Sequence, residues 1–245
     1  MEEDMKKKCF WTVTPVMTGR FGMVRDDIKY QGGDPCICGY VPSVLFLLES
    51  GEQQVIVDTG FGNAEECAHS LNLVVERQKS YESILEQAGV VPDRVKAVIF
   101  THLHWDHAGN AASFPYGDFY CHKTEWERAQ GYPEEYPDVW LKYLRENPSR
   151  IKLVTSQDVK EILPGIYVRH MGGHTHGSMM VLTDTVSGLE IIAGDVVMTE
   201  KNIQEDIPVG LCVDRGQCEK ALEIIKGYRP VKVYPSHDFG IFGKE

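Results

Sequence analysis

The chain has 245 residues, a formal net charge of −11 and 42 % apolar residues. That length suits one or two domains, and large mixed α/β folds of this size often form a single one; the apolar share is enough to bury a substantial core. The acidic balance, with no basic stripe interleaved with aromatic residues, argues against a phosphate-backbone partner, so nucleic acid is not an expected substrate.

The N-terminus runs Met1-Glu2-Glu3-Asp4-Met5-Lys6-Lys7-Lys8 with no apolar stretch after it, which argues against a secretory signal. The longest apolar run, Val44-Leu45-Phe46-Leu47-Leu48, is far too short to span a bilayer. A cytoplasmic protein without a membrane partner is expected. The odd count of seven cysteines fits a reducing compartment. Cys36 and Cys38 are spaced as neither a usual zinc nor a redox pair. Like Cys9, Cys67, Cys121, Cys212 and Cys218, they read as small buried or loop thiols.

Residues 44–48 and 55–57 flank Ser50-Gly51-Glu52 and are predicted to form a hairpin, with Asp58-Thr59-Gly60 ending the second strand. A helix is expected over Ser80 to Ala88, where Tyr81, Ile84, Leu85 and Ala88 share a face and Gly89 caps the C-terminus. Ala97-Val98-Ile99-Phe100 has the continuous apolar character of a strand buried on both faces, and it leads directly to His102. Phe119 to Cys121 is a further strand. Thr124 and Glu127 have the spacing of a capping box for the next helix.

Residues 131–150 carry Pro133, Pro137 and Pro148 around an aromatic helix with Trp140 and Tyr143. They are read as an inserted loop and helix, either a lid or a plain connection. Strands follow at Ile166 to His170, Met180 to Thr183 and Glu190 to Ala193. A helix spans Gln217 to Lys226 with Gly227 after it, and a last strand spans Val231 to Tyr234. Strands with helices distributed through both halves imply sheets sandwiched between helical layers, all within one domain, 1–245.

The segment Thr101-His102-Leu103-His104-Trp105-Asp106-His107 carries the strongest chemical signal. Three of the nine histidines fall within six positions, beside an aspartate. Residues i and i+2 of an extended segment point the same way, so His102 and His104 can share one ion. After a turn, Asp106 and His107 can face a second ion. Imidazole and carboxylate ligands suit zinc, with iron, manganese and cobalt as alternatives. Three more segments put a ligand-type residue where a strand runs into a loop: Gly172-Gly173-His174-Thr175, Ala193-Gly194-Asp195 and Tyr234-Pro235-Ser236-His237. An isolated aspartate or histidine is more often a surface or core residue, and only the order and context promote Asp195 and His237. By the same standard His69, His122, His170 and His176 read as structural, although His176 sits close enough to His174 to reach a pocket wall.

In this order, H-x-H-x-D-H, G-H-T, G-D and a late histidine resemble the motif set of the metallo-β-lactamase superfamily, and Asp58-Thr59-Gly60 resembles its early D-x-G. The resemblance runs from about residue 44 to 238. It implies an αββα sandwich of two mixed β-sheets flanked by helices, holding two divalent ions, zinc first. By position, His102, His104 and His174 would bind the first ion, Asp106, His107 and His237 the second, and Asp195 would bridge them. Asp58 would orient the site from behind the ligands. The implied reaction is attack of a metal-bridging hydroxide on a carbonyl, with Asp106 and Asp195 as the catalytic carboxylates.

Length and local sequence most resemble the N-acyl homoserine lactone lactonases, notably Gly194 to Asn202 and the run from Glu205 through Pro208. One departure stands out. Those lactonases commonly carry a tyrosine three residues after the bridging aspartate, where it hydrogen-bonds the substrate carbonyl. This chain has Met198, which cannot donate such a bond. Trp105 and Met198, with part of 131–150, are expected to wall an apolar pocket for a small molecule. Rival readings are a glyoxalase II-like thioesterase, a phosphodiesterase, a mononuclear iron oxygenase and a non-catalytic binding protein. All seven ligand positions are filled, which favours an enzyme, and a homodimer is the expected assembly.

Overall fold

The computed structural model describes residues 9–243, so the reading of Met1 to Lys8 falls outside the described residues. In chain order the strands are β1 (Thr12–Arg25), β2 (Cys38–Ser50), β3 (Gln53–Val57), β4 (Val74–Glu76), β5 (Val95–Ile99), β6 (Asp118–His122), β7 (Ile151–Val154), β8 (Lys160–Leu163), β9 (Ile166–His170), β10 (Met179–Thr185), β11 (Gly188–Ile192) and β12 (Lys232–Tyr234). The helices are α1 (Asp26–Lys29), α2 (Ala64–Leu71), α3 (Tyr81–Gln87), α4 (Trp105–Ala108), α5 (Lys123–Gly131), α6 (Asp138–Glu146), α7 (Glu200–Gln204) and α8 (Arg215–Gly227).

Seven strands form one sheet in the order β4-β1-β2-β3-β5-β6-β7, and five form the second in the order β12-β11-β10-β9-β8. Both are mixed. The β1–β2–β3 and β8–β9–β10–β11 runs are antiparallel, whereas β3, β5, β6 and β7 pair in parallel, as do β11 and β12.

The apolar run in β2 shows how the layers arise. Successive side chains of a strand point to opposite faces. Val44, Phe46 and Leu48 enter the core between the sheets with Val181 and Ile192 from the opposite sheet. Leu45 and Leu47 enter a second core, where Leu85 of α3 and Trp140, Leu141 and Leu144 of α6 cover the outer face of the large sheet. Ala221, Leu222 and Ile225 of α8 cover Met180, Leu182 and Ile191 on the outside of the small sheet. The result is the αββα sandwich.

The predicted hairpin forms with Ser50 opposite Gln53, and α3 is capped by Ser80, whose side chain accepts from Ser83 N. Two local expectations are corrected. The N-cap of α5 is His122, whose Nδ1 accepts from Thr124 N. Thr124 therefore lies inside the helix, and Glu127 pairs with Lys123 instead of closing a capping box. Gly227 is the last residue of α8, and Tyr228 caps it. The 14-residue β1 was not anticipated, because Pro15, Gly19 and Gly22 break its pattern. No helix among the described residues is long and apolar enough to cross a membrane.

Candidate metal centre

The site forms where strand ends from both sheets meet. β3 and β5 run in parallel, so Asp58 and the His102 segment leave the large sheet at the same end. β11 and β12 run in parallel, so Asp195 and His237 leave the small sheet together, and His237 N donates to Met198 O at 2.8 Å. His174 lies in the β9–β10 loop. Met179 N donates to Thr101 O at 2.8 Å and ties that loop to the opposite sheet.

Seven side chains converge. His104 Nδ1 lies 3.0 Å from His102 Nε2 and 3.0 Å from His174 Nε2. Asp195 Oδ2 faces this trio, 3.3 Å from His174 Nε2 and 3.9 Å from His102 Nε2. Asp195 Oδ1 lies 3.1 Å from His107 Nε2 and 3.2 Å from His237 Nε2, and His237 Nε2 is also 3.3 Å from Oδ2, so the carboxylate stands between the two groups. Asp106 Oδ2 completes the second group, 3.6 Å from His107 Nε2 and 3.4 Å from His237 Nε2. The sets His102/His104/His174 and Asp106/His107/His237 each offer ligand atoms close enough to hold one metal ion.

The backs of the rings are held in one tautomer. His107 Nδ1 lies 2.8 Å from Asp58 Oδ2, His174 Nδ1 2.7 Å from Leu211 O and His237 Nδ1 2.9 Å from Pro42 O. These acceptors keep the Nδ1 proton and make Nε2 the atom of each ring that faces inward, the one whose proton a metal ion would displace. Asp58 also accepts from Thr101 N at 2.8 Å and Thr101 Oγ1 at 2.7 Å. It sits at φ +56°, a left-handed backbone that Asp tolerates better than most side chains. Gly60, at φ +69°, is needed two residues on, because a Cβ there would lie 2.1 Å from Thr18 Oγ1.

The electrostatics favour bound cations. Burial, reinforced by neighbouring imidazoles, drives His102 well below the usual histidine pKa and His104 to about 3, leaving both neutral with free lone pairs. Burial also opposes charge on His107 and Asp195. Even so, Asp195, Asp106 and Asp58 hold His107 well above its usual value, and His237, His107, His174 and His102 hold Asp195 well below its own. Burial pushes the Asp106 carboxyl upward. His107 Nε2 and Asp195 Oδ1 are buried without a hydrogen-bond partner, although buried polar atoms are nearly always satisfied. Two unsatisfied ligand-type atoms facing one another between two donor triads fit a pair of bound ions.

A cavity of about 150 Å³ opens onto the centre. Phe21, Val24, Val41, Trp105 and Met198 line it, together with Lys29, the one cationic side chain among its lining Lys and Arg residues. Trp105 packs edge-on against Phe21 at 4.9 Å. The cavity lining contains no residue of 131–150. That segment lies behind the histidine loop, with Trp140 Nε1 donating to Leu103 O at 3.2 Å. His69 and His176 are exposed, and His122 stacks on His170 at 4.1 Å, outside the cluster. Sequence reading missed Thr101, Lys29 and the carbonyls of Pro42 and Leu211. Of these only Thr101, adjoining the histidine motif, carried any local signal.

Residues 38–237 match the family model described as the metallo-beta-lactamase superfamily. An N-acyl homoserine lactonase of Bacillus sp is 30 % identical over 179 residues, 69 % of each chain. Among solved structures, an N-acyl homoserine lactone hydrolase with N-hexanoyl-L-homoserine bound at its catalytic metal centre superposes with a TM-score of 0.80 at 22 % identity, covering 95 % of each chain. The dizinc quorum-quenching lactonase AidC superposes at 0.72 with 13 % identity, covering 96 % of this chain and 90 % of that one.

Proposed function

The chain belongs to the metallo-beta-lactamase superfamily, and on that premise we propose that it is a dinuclear zinc hydrolase that opens a lactone of the acyl homoserine type. The observation that carries the reading is the placing of the Asp195 carboxylate between the two triads, with ligand atoms of both within 3.1–3.3 Å of its oxygens. His102, His104 and His174 would hold one ion, Asp106, His107 and His237 the other, and Asp195 both. Zinc suits this set of neutral imidazoles and carboxylates, and the relative AidC is a dizinc lactonase. Two such ions, when bound, supply a hydroxide at neutral pH and polarise the substrate carbonyl.

The remaining work belongs to the chain. Asp58, Leu211 O and Pro42 O keep three imidazoles aimed. Asp106 lines the cavity, where its carboxylate would take the remaining proton of the hydroxide once its oxygen has bonded to the carbonyl carbon, and hand that proton to the ring oxygen as the C–O bond breaks and the oxygen leaves as an alcohol. The cavity is small and mostly apolar, which suits a small ring with its acyl tail leaving through the mouth. Met198 lines it where the lactonases carry a tyrosine. Lys29 Nζ, held 2.7 Å from Asp26 Oδ1, is the donor on the wall best suited to take over the hydrogen bond to the substrate.

The test is metal analysis of protein purified without added metal, coupled to turnover of acyl homoserine lactones, simple lactones, thioesters and bis-p-nitrophenyl phosphate. Two zinc ions per chain and a preference for acyl homoserine lactones are expected. Asp195→Ala and His104→Ala should remove that turnover and leave the circular dichroism spectrum unchanged. Preferred turnover of thioesters or phosphodiesters would overturn the lactone assignment, and turnover retained in both variants would overturn the mechanism.

A further inference from the structure

Glu125 lies in the first turn of α5, away from the seven converging side chains, and it is fully buried at 0 % exposure. A buried carboxylate is costly unless its lone pairs are satisfied. A carboxylate has about four acceptor positions, and here four donors fill them. Oε1 accepts from Leu103 N at 3.0 Å and Tyr136 Oη at 3.2 Å. Oε2 accepts from Thr175 Oγ1 at 2.7 Å and Gly177 N at 3.1 Å.

The identity of those donors gives Glu125 its meaning. Leu103 is the residue between His102 and His104, and Thr175 follows His174. One side chain therefore joins the two loops that carry the first triad. The Leu103 peptide is gripped on both sides, since its carbonyl accepts from Trp140 Nε1. The loop is also pressed hard against α5. A Cβ at Gly177 would lie 2.4 Å from Glu125 N and 2.4 Å from Glu125 Cβ, so only glycine fits there. None of the four donors belongs to α4, which carries Asp106 and His107, or to the segment of His237.

We propose that Glu125 is a positioning residue for the first metal ion, setting the separation of the His102/His104 segment from His174. The inference rests on the two-ion reading above, and it assigns Tyr136 and Trp140 of the 131–150 segment to the support of that ion. Glu125→Gln isolates the effect. Gln replaces one oxygen with an NH2 group, which must face one of the two pairs of donors. A hydroxyl can rotate to accept, but the backbone N–H of Leu103 or Gly177 cannot.

The experiment is zinc titration of the whole chain against a chromophoric chelator, with imidazole ¹⁵N shifts assigning each ion to its site. Wild type should take up two ions. Glu125→Gln should bind the ion reported by His174 about 10–100-fold more weakly, the usual effect of removing a residue behind metal ligands, while the ion reported by His237 keeps its affinity. Thr175→Val, which removes one donor and keeps the side-chain volume, should shift the same ion in the same direction by less, and it serves if Glu125→Gln does not fold. Leu144→Ala, a variant in the core cluster that also holds Leu103, Tyr136 and Trp140, is the control for lost packing. Equal weakening of both ions, or weakening in Leu144→Ala to the same extent as in Glu125→Gln at matched loss of Tm, would overturn the positioning role. So would wild-type affinity in Glu125→Gln beside a two-ion wild type. A wild-type chain that takes up no second ion would instead overturn the two-ion reading.

Discussion

Asp58→Asn tests how the site enforces a tautomer. Asp58 Oδ1 accepts from Thr101 N, and Oδ2 accepts from Thr101 Oγ1 and from His107 Nδ1. In the variant the amide oxygen has to stay on Thr101 N, because that N–H can only donate. The amide NH2 then points at His107 Nδ1 and donates to it. The imidazole proton moves to Nε2, the atom that faces Asp106 and Asp195, and the lone pair needed for a metal ion is lost. Asn tolerates the left-handed backbone at φ +56° as well as Asp does, so the substitution adds no backbone strain of the kind Asp58→Ala would. Loss of an orienting partner behind a metal ligand typically costs 10–100-fold in affinity, about 1.4–2.8 kcal/mol. The loss should fall on the second ion, held by Asp106, His107 and His237, and hydrolysis should fall with it. Competition titration against a chelator measures the affinity, and imidazole ¹⁵N shifts report the His107 tautomer. Both ions bound at wild-type affinity, with Nδ1 of His107 still protonated, would refute the reasoning.

Stripping the protein with a strong chelator should abolish turnover and lower Tm, and zinc should restore both. An ion present at 100 times its dissociation constant contributes about 2.7 kcal/mol through mass action, so a melting curve unmoved by chelation would count against bound structural charge at this centre. His122 supplies a pH test at a histidine outside the ligand cluster: burial, then His170, holds its pKa near 4, below the usual histidine value. With the folded pKa depressed, the stability it confers is complete above about pH 6.5 and is lost as pH falls toward 4, with a slope of up to about 1.4 kcal/mol per pH unit. His122→Asn keeps a helix cap and should flatten that dependence in denaturant melts between pH 4 and 7, whereas an unchanged slope would assign the acid sensitivity to other groups.

How much of this was legible in the sequence follows from the range of the interactions. The H-x-H-x-D-H segment, Asp195 and His237 stand at strand ends, and the period-2 and apolar patterns that locate strands also locate their ends. Residues that hold the ligands from behind were legible only where a motif names them, as Asp-Thr-Gly does for Asp58. Pro42 and Leu211 act through carbonyl oxygens, which every residue has. Glu125 looks like an ordinary acidic residue in a helix's first turn, and its donors lie 11 to 52 positions away in the chain. The Thr124/Glu127 capping pattern misled for a related reason. His122 ends a strand pinned by β7, and its ring already stands over Thr124 N. Tertiary placement therefore overrode the local preference.

The exchange of tyrosine for Met198 can be argued to a decisive result because the cavity offers few ways to compensate. Met198 is nearly buried and packs on Val209 and Cys218, so it seals the wall and cannot donate. If Lys29 has taken over the hydrogen bond to substrate, Lys29→Met should raise KM or lower kcat/KM by about tenfold, the effect of one lost charge-assisted bond of roughly 1.5 kcal/mol, and leave both ions in place. Met198→Tyr in the wild-type background should gain nothing. The larger ring has to enter a cavity of about 150 Å³, and overpacking of this kind costs about 1–3 kcal/mol. In the Lys29→Met background the same tyrosine should recover part of the lost kcat/KM, because its hydroxyl then supplies the missing donor. Such a cycle measures the coupling directly. Additive effects, with Met198→Tyr equally harmful in both backgrounds, would show that Lys29 and the tyrosine position do not share one task, and the polar recognition of the substrate would have to come from Asp106 or the ions alone.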